Sequence, residues 1–125
     1  MTAADDCELC RPEQVLFGTD LAYVRLDNNS LSRGHVLVVP RRHVAGFFDM
    51  TAAEKADVLA LLDRAKQHID AEFHPDGYNI GVNIGRAAGQ ARMHVHVHLI
   101  PRYTGDVADP RGGIRCVLAQ RAPSH

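Results

Sequence analysis

The sequence has almost no charge imbalance and no long apolar run, and each absence excludes a class of protein. Among its 125 residues, 14 lysines and arginines nearly balance 15 aspartates and glutamates, which gives a net charge of −1. A chain so close to neutrality has no long-range field that would attract nucleic acid or a membrane surface. No apolar stretch approaches the roughly 20 residues of a membrane-spanning helix. We therefore expect neither nucleic acid nor a membrane as a partner.

Cysteine is also scarce, and the three cysteines are odd in number and too few for a disulfide framework. The polar and acidic segment 1–6 lacks the basic and apolar regions of a signal peptide. These features predict a cytoplasmic protein. The length predicts a single domain over residues 1–125, with flexible ends at 1–6 and 119–125.

Two of the cysteines form the motif Cys7-Glu8-Leu9-Cys10, which the sequence alone leaves open to three interpretations. It is half of a zinc site, because zinc takes four ligands and two would come from elsewhere; it is a fortuitous pair; or it is a redox motif. A reactive thiolate needs cationic neighbours, and acidic residues flank this motif, so the redox interpretation is the weakest. The third cysteine, Cys116, is expected to serve ordinary packing.

Hydrophobic patterns predict two strands and then one amphipathic helix. Residues 21–26 and the almost wholly apolar run 34–39 are predicted strands, and the second is expected to be central. Thr51 and Glu54 form a capping box, which begins a helix that extends to residue 72 or 73. The predicted core stripe of this helix consists of Val58, Leu61, Leu62, Ala65 and Ile69.

Other segments have less distinctive patterns. Residues 78–84 alternate in polarity and are predicted to form a third strand, and residues 114–118 are predicted to form a short edge strand. The pair Arg41-Arg42 is expected to belong to a solvated basic loop. The loop 85–90 contains glycines that let backbone N–H groups approach a phosphate, but a plain hairpin loop uses glycine in the same way.

The segment His94-Val95-His96-Val97-His98 alternates imidazole and apolar side chains within a predicted strand, 94–100. Successive residues of a strand face opposite sides, so the three imidazoles are expected to share one face while the apolar residues face the core. Burial of the apolar set also fixes the register. The imidazole face could be catalytic or could bind a metal. His35, in an apolar run, is either a core histidine or part of the same site.

Together these residues resemble the histidine triad (HIT) superfamily of nucleotide hydrolases and transferases. The family pattern of three histidines alternating with apolar residues is matched at 94–100, and the Gly-His strand at 34–40 and Ala88-Gly89-Gln90 extend the match. The resemblance implies an α+β fold in which a mostly antiparallel sheet of about five strands packs against one long helix. It also implies a homodimer.

The resemblance further implies a role for each matching residue. His96 would be the nucleophile that attacks the α-phosphate, His98 would contact the phosphate oxygens, and His35 would belong to the same imidazole cluster. The positions that match nucleotide-binding residues are Asp27, which would hold the ribose, and Asn83, Gly89 and Gln90, which would contact the phosphates or the leaving group.

Bacterial-type members of the superfamily bind a structural zinc ion through an N-terminal cysteine pair and two histidines. The corresponding residues here are Cys7, Cys10, His43 and His94. Cys₂His₂ is a closed tetrahedral set, as a structural rather than a catalytic ion requires. On this interpretation only His96 and His98 of the three histidines face the substrate directly, and no organic cofactor is needed.

The implied reaction is hydrolysis, because the transferase branch typically has glutamine at the third triad position, where this chain has His98. Dinucleoside polyphosphates are the favoured substrates, with an adenine nucleotide as the favoured unit. Two alternatives stay open: an adenosine phosphoramidate hydrolase of the same superfamily, and a non-catalytic nucleotide-binding protein. The complete triad argues against the second, since binding alone does not need a nucleophile.

Overall fold

A five-stranded antiparallel sheet with one long helix forms the core of the structure, a computed structural model that describes residues 7–118. The sheet order is β1-β2-β3-β5-β4, which confirms the predicted α+β fold class. The predicted flexible ends lie outside the described residues. The elements are β1 (Val15–Gly18), β2 (Ala22–Leu26), β3 (Val36–Pro40), α1 (Ala52–Phe73), β4 (Gly77–Gly81) and β5 (Val97–Arg102).

The apolar run that was predicted to be central forms β3, in the middle of the sheet. Its five residues are all buried, because a strand with neighbours on both sides and packing on both faces excludes water. It pairs with β2 on one side and β5 on the other, both antiparallel. This position brings the end of β3 next to the histidine segment.

Two predicted strands are shorter in the structure. The histidine strand begins at Val97 rather than at residue 94. The strand predicted at 78–84 is β4, which ends at Gly81, and Gly81 opposite His98 is the last pair of that ladder. Residues 82–84 leave the sheet because the segment before Val97 no longer runs alongside them as a strand.

The strand predicted at 114–118 is wrong, and β1 was not predicted. Residues 113–117 form a 3₁₀ helix. Its first residue, Gly113, has φ of 45°, and Gly112 before it has φ of 90°; such positive angles turn the chain away from an extended path. In β1 the register shifts between Val15 and Phe17. That irregularity removes the strict alternation by which a half-buried strand is recognised.

The helix α1 matches its prediction closely. The Thr51 hydroxyl accepts the Glu54 backbone N–H at 3.1 Å, and the Glu54 carboxylate accepts the Thr51 N–H at 2.8 Å. The helix ends at His74, whose φ of 53° is left-handed. Within the described range, α1 and the shorter helices are not apolar and long enough to cross a membrane. The predicted core stripe is buried in full: Val58, Leu61, Leu62, Ala65 and Ile69.

Glu54 is buried and also joins the helix to the predicted basic loop. Although Arg42 is exposed, it is not merely solvated, because Nε and Nη2 donate to the two Glu54 carboxylate oxygens at 3.1 and 2.8 Å. This bidentate pair is the main reason that the pKa of Glu54 falls to about 2. The loop after β3 is thereby fixed to the first turn of α1.

We expect Glu54→Gln to lower the free energy of unfolding at pH 7 by about 1–2 kcal/mol, a value reduced for the exposed arginine. Because the pKa is depressed in the folded state, the contribution of the carboxylate is present above pH 4.5 and is lost as the pH falls toward 2. Urea unfolding measured at pH 7 and at pH 3 should therefore show that the difference in free energy of unfolding between the wild-type protein and Glu54→Gln is smaller at pH 3. Glu72→Gln, on an exposed position of the same helix, should change stability by less than about 0.5 kcal/mol. An equal loss at both pH values would contradict the ion-pair explanation.

Candidate active site

The sheet face opposite α1 carries the candidate site. Arg25 of β2 lies opposite Leu37 of β3, and Leu37 lies opposite His98 of β5. Alternate residues of the same strands, such as Val24 and Val38, belong to the core under α1. Since side chains alternate between faces, the row Arg25, Leu37 and His98 points away from the helix.

A cleft of about 300 Å³ opens on this face. Polar and apolar side chains both line it. Its lining includes Asp27, Leu31, His35, Leu37, His96 and His98. Four of the residues that the resemblance assigned to the site, Asp27, His35, His96 and His98, are thus brought together.

The tautomers of His35 and His98 follow from a backbone donor. The Leu31 N–H donates to Nδ1 of His35 at 3.1 Å, so the proton of His35 is on Nε2. This Nε2 lies 3.0 Å from Nδ1 of His98 and 3.2 Å from the Asp27 carboxylate. His98 therefore accepts at Nδ1 and carries its own proton on Nε2.

His96 is oriented by a carbonyl. Its Nδ1 lies 2.9 Å from the backbone oxygen of His94, which can only accept, so Nδ1 carries the proton and Nε2 keeps its lone pair. The His96 and His98 rings are 5.2 Å apart between centroids. The cleft therefore presents a lone-pair nitrogen on His96 beside an N–H donor on His98.

Burial favours the neutral forms of His35 and His98. It lowers the pKa of His35, against the opposing effect of the Asp27 carboxylate. Burial is also the largest reason that the pKa of His98 falls to about 4, and His96 and His35 lower it further. A neutral imidazole is the form that can act as a nucleophile or a hydrogen-bond donor with a defined tautomer.

Asn83, Gly89 and Gln90 are not among the residues that line the cleft. The buried Gln90 amide instead fixes the loop that precedes the histidines: Oε1 accepts the Gly85 N–H at 2.9 Å, and Nε2 donates to the carbonyls of Ala45 and Arg92 at 2.6 and 2.9 Å. The phosphate contact of this side chain stays a prediction.

The sequence reasoning missed three charged residues of the cleft. Glu8, Arg25 and Arg92 also line the cleft, and the Glu8 carboxylate is 2.7 Å from Arg92 Nη1 and 3.7 Å from Arg25 Nη1. The one available signal was spacing, because Arg25 is two residues before Asp27 and so shares its strand face. Glu8 and Arg92 come from loops and had no such signal.

The third histidine, His94, belongs to a separate group. Its ring turns toward the N-terminal cysteines, with Nδ1 3.3 Å from the sulfur of Cys7 and of Cys10, while Val95 packs into the core under α1. Nδ1 of His43 lies 3.1 Å from the Cys10 sulfur. The ligand atoms of these four residues all lie within 4.8 Å of one another.

The donor set fits a tetrahedral metal ion. Metal–ligand bonds of about 2.0–2.3 Å place neighbouring ligands a little over 3 Å apart, as these sulfur–nitrogen distances are. Nε2 of His94 lies 2.7 Å from the Pro40 carbonyl, which fixes its proton there and directs a lone pair at Nδ1 into the group. Burial and Cys7 raise the pKa of the Cys10 thiol to about 11, opposite to the shift in a redox-active thiol. The residues could therefore hold a metal.

A second group, Asp27, His35 and His98, also brings its ligand atoms within 4.8 Å of one another. Here the short contact between His35 and His98 is accounted for by a hydrogen bond from Nε2–H to Nδ1. The imidazoles of the triad therefore do not form one shared metal face, since His94 is directed to the cysteines.

Fold and site together define an α+β protein with a histidine cluster in a cleft and a separate Cys₂His₂ group. The chain belongs to the HIT domain family, whose sequence profile matches residues 9–105. A Zn-bound histidine triad family protein from Mycobacterium smegmatis has a similar crystal structure, with a TM-score of 0.76 and 29% identity, covering 86% of this chain and 82% of that one.

Two curated relatives are enzymes by name. The AP-4-A phosphorylase of Mycobacterium tuberculosis is 38% identical over 87 residues, covering 69% of this chain and 45% of the relative. Bis(5'-nucleosyl)-tetraphosphatase (asymmetrical) of Schizosaccharomyces pombe is 36% identical over 96 residues, covering 77% of this chain and 53% of the relative. The chain thus spans about half the length of these two relatives.

We expect His98 to remain the neutral Nε2–H tautomer as the pH falls from about 8 to about 5, because its pKa is lowered to about 4. The measurement is a pH series of ¹H–¹⁵N spectra that report both ring nitrogens, with His98→Asn for assignment. The shift also predicts lower stability as the pH falls from 6.5 toward 4, since the unfolded chain takes up the proton first. A His98 ring that is protonated at pH 6 would contradict the assigned network.

Proposed function

We propose that the protein is a nucleotide hydrolase that cleaves at the α-phosphate of dinucleoside polyphosphates or related AMP-linked compounds. The observation that carries this proposal is the lone-pair Nε2 of His96, oriented by the hydrogen bond from Nδ1 to the His94 carbonyl, beside the Nε2–H of His98. The names of two relatives, a phosphorylase and a tetraphosphatase, support the substrate class.

In the first step Nε2 of His96 attacks the α-phosphorus, and a P–N bond forms as the bond to the leaving oxygen breaks. The leaving group departs with that electron pair. The new bond makes the His96 ring cationic, and the His94 carbonyl that accepts from Nδ1 stabilises this charge. His98 donates from Nε2 to an oxygen of the phosphate, where negative charge develops.

In the second step water attacks the nucleotidyl-histidine. The P–N bond breaks, its electron pair returns to Nε2 of His96, and the proton of the water passes to solvent. The imidazole is a good leaving group here because it is released neutral from a cationic adduct. His35 does not touch the phosphorus in this scheme; it keeps His98 in the tautomer that donates toward the substrate.

Asp27 is proposed to hold the ribose hydroxyls. Its Oδ1 accepts the Asn29 N–H at 2.9 Å, while Oδ2 faces His35 on the cleft side. Asn83, Gly89 and Gln90 remain proposed contacts to the phosphates or the leaving group. For Gln90 this contact requires that the amide give up a present bond, such as the one to the Ala45 carbonyl.

An adenosine phosphoramidate hydrolase is the alternative with the same nucleophile, and it differs only in the atom that leaves from phosphorus. A non-catalytic nucleotide-binding protein would use the same cleft. The second alternative is less well supported, because affinity alone does not require that a carbonyl fix the tautomer of His96.

We further propose that the Cys₂His₂ group binds a structural zinc ion. Zinc would close the N-terminal motif onto His43 and His94, and the M. smegmatis relative is a Zn-bound protein. When bound, the ion supplies a cross-link and no reactive position, since four protein ligands complete its shell.

The protein is also proposed to be cytoplasmic.

A homodimer is proposed through the edge strand β4. Its hydrogen-bonding edge away from β5 ends the sheet, and Ile80 in the middle of the strand is 54% exposed. Pairing of two β4 strands would satisfy these edges and cover the isoleucine, which an unprotected edge strand favours.

We expect His96→Ala to reduce AMP release from diadenosine tetraphosphate and from adenosine phosphoramidate at least about a thousandfold, because the P–N bond cannot form. AMP should still bind the variant, as calorimetry can measure. In the wild-type protein, an alkaline quench followed by mass spectrometry should reveal the added nucleotidyl mass. His68→Ala, on the exposed surface of α1, is the control and should retain activity. Activity that survives His96→Ala would overturn the proposal, and a preference for the phosphoramidate would select the alternative.

We expect Cys10→Ser to reduce bound zinc at least about tenfold from one ion per chain and to lower the thermal midpoint, since zinc binding contributes directly to folding. Metal analysis by mass spectrometry and thermal unfolding measure the two effects. Cys116→Ser is the matched control, because Cys116 is exposed and outside the group. Equal zinc content in both variants would contradict a zinc site at Cys10.

A further inference from the structure

Arg25 is a buried arginine whose hydrogen bonding is incomplete. Its side chain is 2% exposed, and among the described residues Nη1 is the one buried side-chain nitrogen or oxygen without a hydrogen-bond partner. Nε donates to the Leu26 carbonyl at 3.2 Å. The nearest carboxylate, that of Glu8, lies 3.7 Å from Nη1, which is too far for a hydrogen bond.

A buried guanidinium with an unpaired donor lowers the stability of the folded protein. A buried guanidinium stays charged, and each donor left without an acceptor loses the hydrogen bond that it would make in water. An apolar residue of similar volume at this position would be expected to cost less. Arg25 also lines the cleft, so a ligand bound there could supply the missing acceptor if the guanidinium turned toward it.

The register of the sheet determines which part of a bound ligand would reach Arg25. Arg25, Leu37 and His98 occupy one cross-strand row, and two strand spacings place Arg25 about 10 Å from His98. Asp27 lies two residues from Arg25 on the same face of β2. A nucleoside monophosphate with its phosphate at His98 and its ribose at Asp27 therefore extends its base across Leu37 toward Arg25.

We propose that Arg25 reads the nucleobase: Nη1 donates to an acceptor on the edge of a purine that lies against Leu37. This inference rests on the proposed function, since it requires a nucleotide in the cleft. Glu8, which is 44% exposed and held by Arg92 at 2.7 Å, accepts from the exocyclic amine of the same base. Adenine and guanine each present an acceptor and an amine. Cytosine does too, but its single ring extends less far from the ribose, so the roughly 10 Å between His98 and Arg25 favours an aminopurine.

The test is Arg25→Met, which removes the donors but keeps an unbranched side chain. We expect the variant to be at least as stable to heat as the wild-type protein, because it no longer buries an incompletely bonded charge. We also expect it to bind AMP or GMP about tenfold to a hundredfold more weakly, the loss typical of a hydrogen bond from a charged donor. Its affinity for ribose 5-phosphate should be unchanged.

Calorimetry with AMP, GMP, CMP and ribose 5-phosphate gives the four affinities for each variant, and comparing AMP with GMP identifies the purine. Arg64→Met is the matched control: Arg64 contacts the Phe17 ring at 4.1 Å and is not among the residues that line the cleft. Its affinities should match those of the wild-type protein.

Two results would overturn the inference while leaving the proposed function intact. One is an Arg25→Met protein that, whatever its stability, still prefers a purine nucleotide over ribose 5-phosphate by the wild-type ratio. The other is equal binding of CMP and the purine nucleotides by the wild-type protein. If the wild-type protein binds none of the nucleotides, the proposed function itself fails.

Discussion

The hydrogen bond from Nδ1 of His96 to the His94 carbonyl is the contact on which the rest of the site depends. A carbonyl position is only as well defined as the residue that carries it, and His94 is held on two sides. Its Nε2 donates to the Pro40 carbonyl at the end of β3, and its Nδ1 faces the N-terminal cysteines. The orientation of His96 therefore depends on the centre of the sheet and on the cysteine motif together, although neither contacts its ring.

The sheet explains why such short hydrogen-bond chains can be maintained. β3 is buried along its whole length and pairs on both sides, so a shift of its position would disrupt two hydrogen-bond ladders and the packing of its buried valines. His35 precedes this strand and His94 meets its other end at Pro40. The two histidines that orient His98 and His96 are thus attached to opposite ends of the least movable strand.

Local patterns made α1, β2, β3 and the alternation of the histidine segment predictable, because a capping box and a period of two are written in neighbouring residues. The same reasoning failed where the outcome depends on distant partners. β1 has a register shift that hides its period, and β4 stops where the segment before Val97 no longer accompanies it. Residues 113–117 have strand-like composition, but the glycine angles before them turn the chain into a 3₁₀ helix.

In the site, too, features that depend on a local motif were predictable and features that depend on distant partners were not. The resemblance located His35, His96, His98 and Asp27, which meet in the cleft. Their tautomers could not be predicted, since they are set by the Leu31 N–H and by the carbonyls of His94 and Pro40, and backbone groups have no signature in the sequence. Gln90 occupies a matching position but makes its hydrogen bonds to the loop in this structure.

Buried polar groups show where the fold has completed its own hydrogen bonding and where it has not. Glu54 is satisfied by Arg42 and Thr51, Gln90 by three backbone groups, and His94 by Pro40 and the cysteines. A chain that satisfies these groups so fully has no stability reason to leave Nη1 of Arg25 without an acceptor. Arg25 lines the same cleft as His96 and lies in one cross-strand row with His98. An incomplete hydrogen bond at this place is therefore better explained by a ligand that completes it than by the requirements of folding.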